Sequence, residues 1–390
     1  MVAARALIVG GGIGGLCAAI ALRRVGVDAH VFEQADALRE VGAGLTVWTN
    51  AVKVLDRLGV LGSVRATASV TERFQVRNRR GDVLDESRPG DLGRKYGGPN
   101  LVVHRADLLR ALASEVGPGA VAVGARLTGF DQDADGVTAH FADGAERRGA
   151  CLIGADGLHS VVRDRLFGDG PPRYAGYTCW RGLAAFDGEG LPPGLGFEAW
   201  GRGARFAVQH CGAGRVFWYA TRNAPEGSPD GPGGRKQDVV ETFRGWHEPT
   251  PSVIAATDDG AILKNDITDR EPIEHWGRGR VTMLGDAAHP TTPNFGQGAC
   301  QAMEDAVVLA DCLARATDVA AALRSYEARR RDRTAFVTRA SRRFGAVSQW
   351  ENPLLCGLRD AVTRSGVLRN AGLKQFEKML AYEPPVSGGT

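Results

Sequence analysis

The run Leu7-Ile8-Val9 is continuously apolar, as expected of a strand buried on both faces, and it breaks into glycine at Gly10. From Gly14 to about Val25 the apolar residues Leu16, Ala19, Ile20 and Leu22 recur at helical spacing, and Gly26 ends the run. Ala29 to Phe32 is apolar again, so residues 6–33 predict a strand–helix–strand unit. Residues 101–103 are apolar, and Asp107 to Ser114 predicts a helix. Strands are predicted at 121–123, 136–141 and 151–154, with turns at Asp135-Gly136 and Asp143-Gly144. Residues 74–96 change character, with Arg77, Arg79 and Arg80 followed by the glycines 90 and 93. From about 174 to 270 short alternating strands predominate, Phe217-Trp218-Tyr219 among them, with a Pro/Gly/Ser loop at 225–234. A strand at 281–284 is followed by a long helix from about 300 to 315 and mostly helical sequence over 320–382. The tail 384–390 is expected to fray.

This order predicts an α/β fold. A Rossmann-like nucleotide-binding domain (1–73, 97–173 and 271–340) is interleaved with a β-sheet domain (74–96 and 174–270), and C-terminal helices follow over 341–390.

Composition narrows the function classes. Hydrophobic residues make up 43% and charged residues 24%, ordinary for a soluble enzyme, and a net charge of +3 is too small to argue for nucleic acid. Arg329, Arg330, Arg331 and Arg333 fall within a helical pattern and read as a solvated face. Seven cysteines without a CxxC pair indicate neither a disulfide framework nor a metal site, so a reducing cytoplasm is expected. The apolar stretch Ala6 to Leu22 is rich in glycine, is short for a membrane span and stops at Arg23-Arg24 without a cleavage signal, so no membrane anchor is expected.

Four motifs carry chemistry. In Gly10-x-Gly12-x-x-Gly15, glycine permits a tight turn, close approach of a pyrophosphate and close helix packing, while the helix starting at Gly14 points its positive end at the phosphates. Glu33 follows Gly15 by 18 positions at the end of the next strand, where a carboxylate can accept both ribose hydroxyls; Gln34 lies beside it. Glutamate there argues against a 2′-phosphate. The second and third motifs are strands ending in Ala155-Asp156-Gly157 and in Gly285-Asp286. Each Asp alone could be a turn or helix cap; together they suit an extended ligand lying across the strand ends. The fourth is Pro293-Asn294-Phe295-Gly296-Gln297-Gly298-Ala299-Cys300, whose helix start offers free amides to an anion. Glu304 and Asp305 read as acids complementing the helix dipole.

With three motifs in this order and spacing, the chain resembles the single-component flavoprotein monooxygenases, the family of para-hydroxybenzoate hydroxylase, over about residues 5 to 340. The runs HPTTPNFGQGACQAMEDAVVLA and VGAGLTVWTNAVKVLDRLG are most similar to the branch of urate hydroxylase, zeaxanthin epoxidase and 3-hydroxybenzoate 6-hydroxylase. The resemblance implies FAD, with Gly10, Gly12, Gly14 and Gly15 at the pyrophosphate, Glu33 at the ribose, and Thr46 and Arg105 along the ribityl and phosphate path. It further implies backbone contacts from Leu127 to the adenine, Asp286 on the ribityl chain, and Gly296, Gln297, Gly298, Ala299 and Cys300 at the flavin edge. Many relatives have Asn at the position of Cys300. Arg105 could instead form a surface ion pair with Asp107.

The activity implied is hydroxylation of a small aromatic substrate by O₂ through a flavin C4a-hydroperoxide, with NADH or NADPH as a transient reductant and a monomer or homodimer as the working form. An alkene epoxidase and a non-oxygenating flavin oxidoreductase are the alternatives. Substrate groups are expected from 174–270 and from around Trp48. Arg205 matches a substrate-contacting arginine of the urate enzyme; Gln209, Phe217 and Pro293 join it as candidates, although that enzyme has Tyr at the position of Phe217. His210 is the candidate base, or else a surface strand histidine, and Arg181 either matches a family pattern or holds the domain junction. The tryptophans 180, 200, 218 and 246 read as core, and His289 as structural.

Overall fold

The computed structural model describes residues 5–38, 42–168, 170–367 and 369–385. Its organising element is a five-stranded, all-parallel sheet in the spatial order Val281–Met283, Cys151–Gly154, Arg5–Val9, Asp28–Phe32, Val121–Ala122. The three central strands are mostly apolar because they are covered by helices and by the three-stranded antiparallel sheet Leu127–Gln132, Val137–Phe141, Glu146–Gly149, whose Phe141 ring lies 4.8 Å from that of Phe32. Parallel register has one decisive consequence: the carboxyl ends of four strands, followed by Gly10, Glu33, Ala155 and Leu284, emerge at the same edge.

The helix Ile13–Arg24 packs between this sheet and the helix Gly298–Arg315. Glycine makes that approach possible: a Cβ on Gly14 would lie 2.7 Å from Leu284 Cδ1 and 3.2 Å from Ala302 Cβ.

A second sheet of seven strands runs Leu263–Asp269, Arg173–Ala185, Arg215–Asn223, Ala204–His210, Leu195–Trp200, Arg73–Asn78, Val83–Ser87. The charge-rich segment after residue 73 thus supplies two of its strands. Phe197, Phe206, Val208, Trp218 and Trp180 fill one face, closed by the helices Gly234–Thr242 and Thr250–Ala255. Those two helices lie where the sequence predicts only strands and loops. The other face carries the opposite parity: Arg181, Glu198, Arg205, Gln209, Phe217 and Tyr219. Trp180, Trp200, Trp218 and Trp246 are all buried.

The helix Val319–Ser348 spans both parts and corrects the reading of Arg330 and Arg333 as members of a solvated face, whereas Arg329 is exposed. Arg330 is 0% exposed and pairs with Glu304 and Asp305, which are equally buried; Arg333 joins Glu304. The two acids therefore cross-link helices, and the helix dipole is a secondary matter. The helix Arg369–Leu380 and the residues after it wrap back over the molecule. Lys53 pairs with Glu383, Lys95 with Glu377 and Arg369 with Asp85, and Arg57 donates to the Pro385 carbonyl. Residues 384 and 385 are thus held, and 386–390 of the expected tail lie outside the described residues. All seven cysteines are unpaired and buried. No helix among the described residues is long and apolar enough to cross a membrane.

Candidate active site

The glycine turn after the first strand is shaped by backbone crowding. Gly10 has φ +109°, and a Cβ there would sit 2.3 Å from the Ala155 carbonyl oxygen; one on Gly15 would sit 2.0 Å from the Gly10 oxygen. A Cβ on Gly12 would meet nothing within 4 Å. Two glycines are therefore required by the protein itself, while Gly12 leaves space above the turn. Glu33 accepts from the Gly11 amide at 2.7 Å and the Ala35 amide at 2.8 Å, which holds its carboxylate beside the glycine turn; Gln34 is exposed. Ala125 donates to the Glu33 carbonyl at 2.8 Å, bringing the chain leading to Leu127 alongside.

Asp156 follows the neighbouring strand. Its Oδ2 accepts from the Val162 amide, but its Oδ1 is buried without a hydrogen-bond partner, and burial raises its pKa. An orphaned carboxylate oxygen at the strand ends is a group waiting for a donor. Arg163, seven residues on and 1% exposed, donates to the carbonyls of Ala287 and Ala288 at 3.0 Å and so ties the second motif to the third. Sequence reasoning missed it. The third turn is further fixed by Asp305, whose Oδ2 accepts from the Gly285 amide at 2.9 Å and from His289 at 2.6 Å.

Asp286 and Arg105 line the cleft between these turns. Solvent reaches both, yet protein surrounds them closely enough that burial raises the Asp286 carboxyl and lowers the Arg105 guanidinium, while each opposes the shift of the other. Asp107 pairs with Arg110 and Arg215, each at 2.9 Å, so it is not the partner of Arg105.

The Pro293–Cys300 segment makes the opposite wall. Pro293 is exposed, and Gly296 takes φ +59° against Trp48, whose Nε1 donates to the Phe295 carbonyl at 2.8 Å. Thr46, two residues before Trp48, lies 3.7 Å from a Cβ built on Gly296. The helix Gly298–Arg315 begins without a side-chain cap, so the amides of Gly298, Ala299 and Cys300 have no acceptor within the helix. The Gln297 side chain turns inward to Asn50 and Gln301, leaving only its backbone facing the cleft. Cys300 is 0% exposed, its thiol pushed up to about 12 by burial; it packs beneath the turn as an inert apolar group.

The open face of the seven-stranded sheet roofs this region. Arg205 reaches the Pro293–Gly296 turn through Asn294 at 2.8 Å, Gln209 bonds Thr71 at 3.1 Å, and Phe217 lies against Gly44. Arg181 donates to Asn265 at 2.6 Å, and its charge is felt at Arg105. His210 has the other parity. It points away from Arg205 and bonds the Leu191 carbonyl at 2.8 Å, which removes it as a base on this face. Phe376, from the C-terminal helix, packs edge-on against Trp48 with ring centroids 4.7 Å apart, a wall residue that no motif marks.

A glycine cradle, an unpartnered buried carboxylate oxygen and an uncapped helix start, all at one edge of a parallel sheet, fit a flavin dinucleotide and define a flavoprotein. The chain belongs to the family described as FAD binding domain, matched over residues 3–169 and 262–341, and is by that family and its relatives an FAD-dependent flavoprotein monooxygenase. It is 43% identical over 358 residues to the aurachin C monooxygenase/isomerase of Stigmatella aurantiaca, spanning 92% of this chain and 93% of that protein. It is 40% identical over 332 residues to an FAD-dependent urate hydroxylase of Klebsiella pneumoniae subsp. pneumoniae, spanning 84% and 86%. The structure of Klebsiella pneumoniae HpxO complexed with FAD and uric acid superposes with a TM-score of 0.91 at 34% identity, covering 97% of each chain.

Proposed function

We propose that this protein is an NAD(P)H- and O₂-dependent hydroxylase of a small aromatic substrate, working as a soluble cytoplasmic monomer or homodimer. The observation that carries this reading is that the Pro293–Gly296 turn at the strand-end cleft meets the open face of the large sheet, Asn294 accepting from Arg205 and the Phe295 carbonyl from Trp48. Residues 1–73, 97–173 and 271–340 would hold the cofactor, 74–96 and 174–270 would roof it, and 341–390 would close one side.

FAD, when bound, would supply activation of O₂ and delivery of one oxygen atom to an electron-rich carbon. The chain's own work is positional. Gly12, Glu33 and Asp156 bind the dinucleotide half, and Arg105 and Asp286 line its middle. The amides of Gly298 to Cys300 offer the positive end of a long helix to the ring edge. Trp48, Phe217 and Phe376 keep water from the space where oxygen is transferred, which matters because water diverts the reaction to peroxide.

The test is oxidation of NADH and of NADPH by the FAD-loaded protein, with and without a panel of phenols, indoles and polyenes. Stimulation by aromatic compounds supports hydroxylation, and stimulation by polyenes alone would favour epoxidation. The absence of any stimulation by either class would count against the proposal.

A further inference from the structure

The polar groups on the open face of the large sheet are paired in a way that bears on substrate charge. Arg205 is 1% exposed and each of its nitrogens is engaged: Nη1 with Glu198 Oε1 at 2.9 Å, Nε with Gln349 Oε1 at 2.7 Å and Nη2 with Asn294 Oδ1 at 2.8 Å. Glu198 is 5% exposed and comes from the adjacent strand, where Glu198 pairs with Ala207 and Trp200 with Arg205, so both side chains project from one face.

A buried guanidinium already neutralised by a carboxylate at contact distance is a poor receptor for a second anion. An incoming carboxylate would either crowd Glu198 on a single cation or displace it and strand a negative charge in the interior, and each alternative is costly. Next to this pair stands Tyr219, on the same face; burial holds its hydroxyl protonated, and the charge of Glu198 adds to that effect. Leu183 and Phe217 complete the surface with apolar groups. Of the other cations on this face, Arg215 is paired with Asp107, and Arg181 bonds Asn265 and shares its field with Arg105, at the cofactor end of the cleft.

We infer that the site is built for a neutral aromatic substrate whose O–H or N–H meets the Glu198–Tyr219 pair, and that Glu198 determines specificity by excluding aromatic carboxylates. The inference takes substrate to lie on this face, as proposed above. It sets Arg205 the task of holding Glu198, Gln349 and the Asn294 turn in place, so Arg205 is a positioning residue.

The experiment titrates FAD-loaded protein with matched pairs, phenol against 4-hydroxybenzoate and indole against indole-3-carboxylate, and reads the flavin absorbance change. The neutral member of each pair is expected to bind at least about tenfold more tightly. Glu198→Gln keeps the shape, frees the Arg205 charge and is expected to shift the preference toward the carboxylates by about tenfold or more. The double variant Glu198→Gln, Arg205→Gln removes both charges and should restore the preference for neutral ligands. If the single variant does not fold, the wild-type pairs decide alone. Carboxylates that bind as tightly as their neutral partners overturn the inference, as does a panel that leaves the flavin spectrum unmoved. Because binding is read without turnover, ligands that bind with the expected preference but are never oxygenated would overturn the monooxygenase reading and leave the charge preference standing.

Discussion

His289 donates to Asp305 Oδ2 across 2.6 Å in the interior, and the same oxygen accepts the Gly285 amide, so one carboxylate on the long helix fixes the turn that presents Asp286. Burial alone would raise the Asp305 pKa; the positive charges of His289 and Arg330 overcome it and hold it at about 2, below its ordinary 3.8. A folded value below the unfolded one stabilises the protein at neutral pH. That stabilisation, roughly 2 kcal/mol, is lost as pH falls from about 4 to about 2. Asp305→Asn leaves Arg330 short of one partner and should cost about 3 kcal/mol at neutral pH while flattening this acid limb. Urea unfolding across the acid range checks both. Superimposable profiles for the variant and wild type would refute the role given to Asp305.

The glycine turn separates folding from binding. Gly15→Ala places a methyl 2.0 Å from a backbone oxygen and should destabilise the cofactor-free protein by about 1–3 kcal/mol. Gly12→Ala meets nothing in the protein. It should leave the melting temperature of the cofactor-free protein nearly unchanged and weaken FAD by about tenfold or more, because the methyl intrudes where the pyrophosphate approaches. Equal effects of the two substitutions on stability would contradict this division.

Glu33→Ala removes an acceptor from two amides and from the proposed ribose contact. FAD affinity should fall about tenfold or more, the worth of hydrogen bonds to a charged acceptor. Flavin content after gel filtration measures it, and a variant that stays fully loaded would exclude the ribose assignment.

His210→Ala should leave turnover with the preferred aromatic substrate within about twofold, since its ring faces Leu191 and away from Arg205. A large drop in kcat with unchanged stability would restore it as the base.

The fold was legible in the sequence where a local rule had a single outcome. The apolar run at Leu7, the glycine turn and Glu33 sit where a dinucleotide unit requires them, and parallel register carries the Asp156 and Asp286 turns to the same edge. The buried charges were not legible. In sequence Arg330 looks like a solvated helical arginine and Glu304 like an acid at a helix start, and only the packing of two helices takes them out of water. Arg163 was hidden for the same reason. The side of the sheet was within reach. Residues 205 and 209 share a parity that 210 lacks, so strand alternation alone separates His210 from Arg205. The helices at Gly234–Thr242 and Thr250–Ala255 are only nine and six residues long and open on glycine and proline, too short to show a clear period.

The most direct test is isotopic. FAD-loaded protein, supplied with NADH or NADPH and an aromatic substrate that stimulates its oxidation, should convert that substrate under ¹⁸O₂ to a product carrying one labelled oxygen atom. Turnover that yields only hydrogen peroxide, or a product whose new oxygen comes from water, would contradict the assignment of this protein as a monooxygenase.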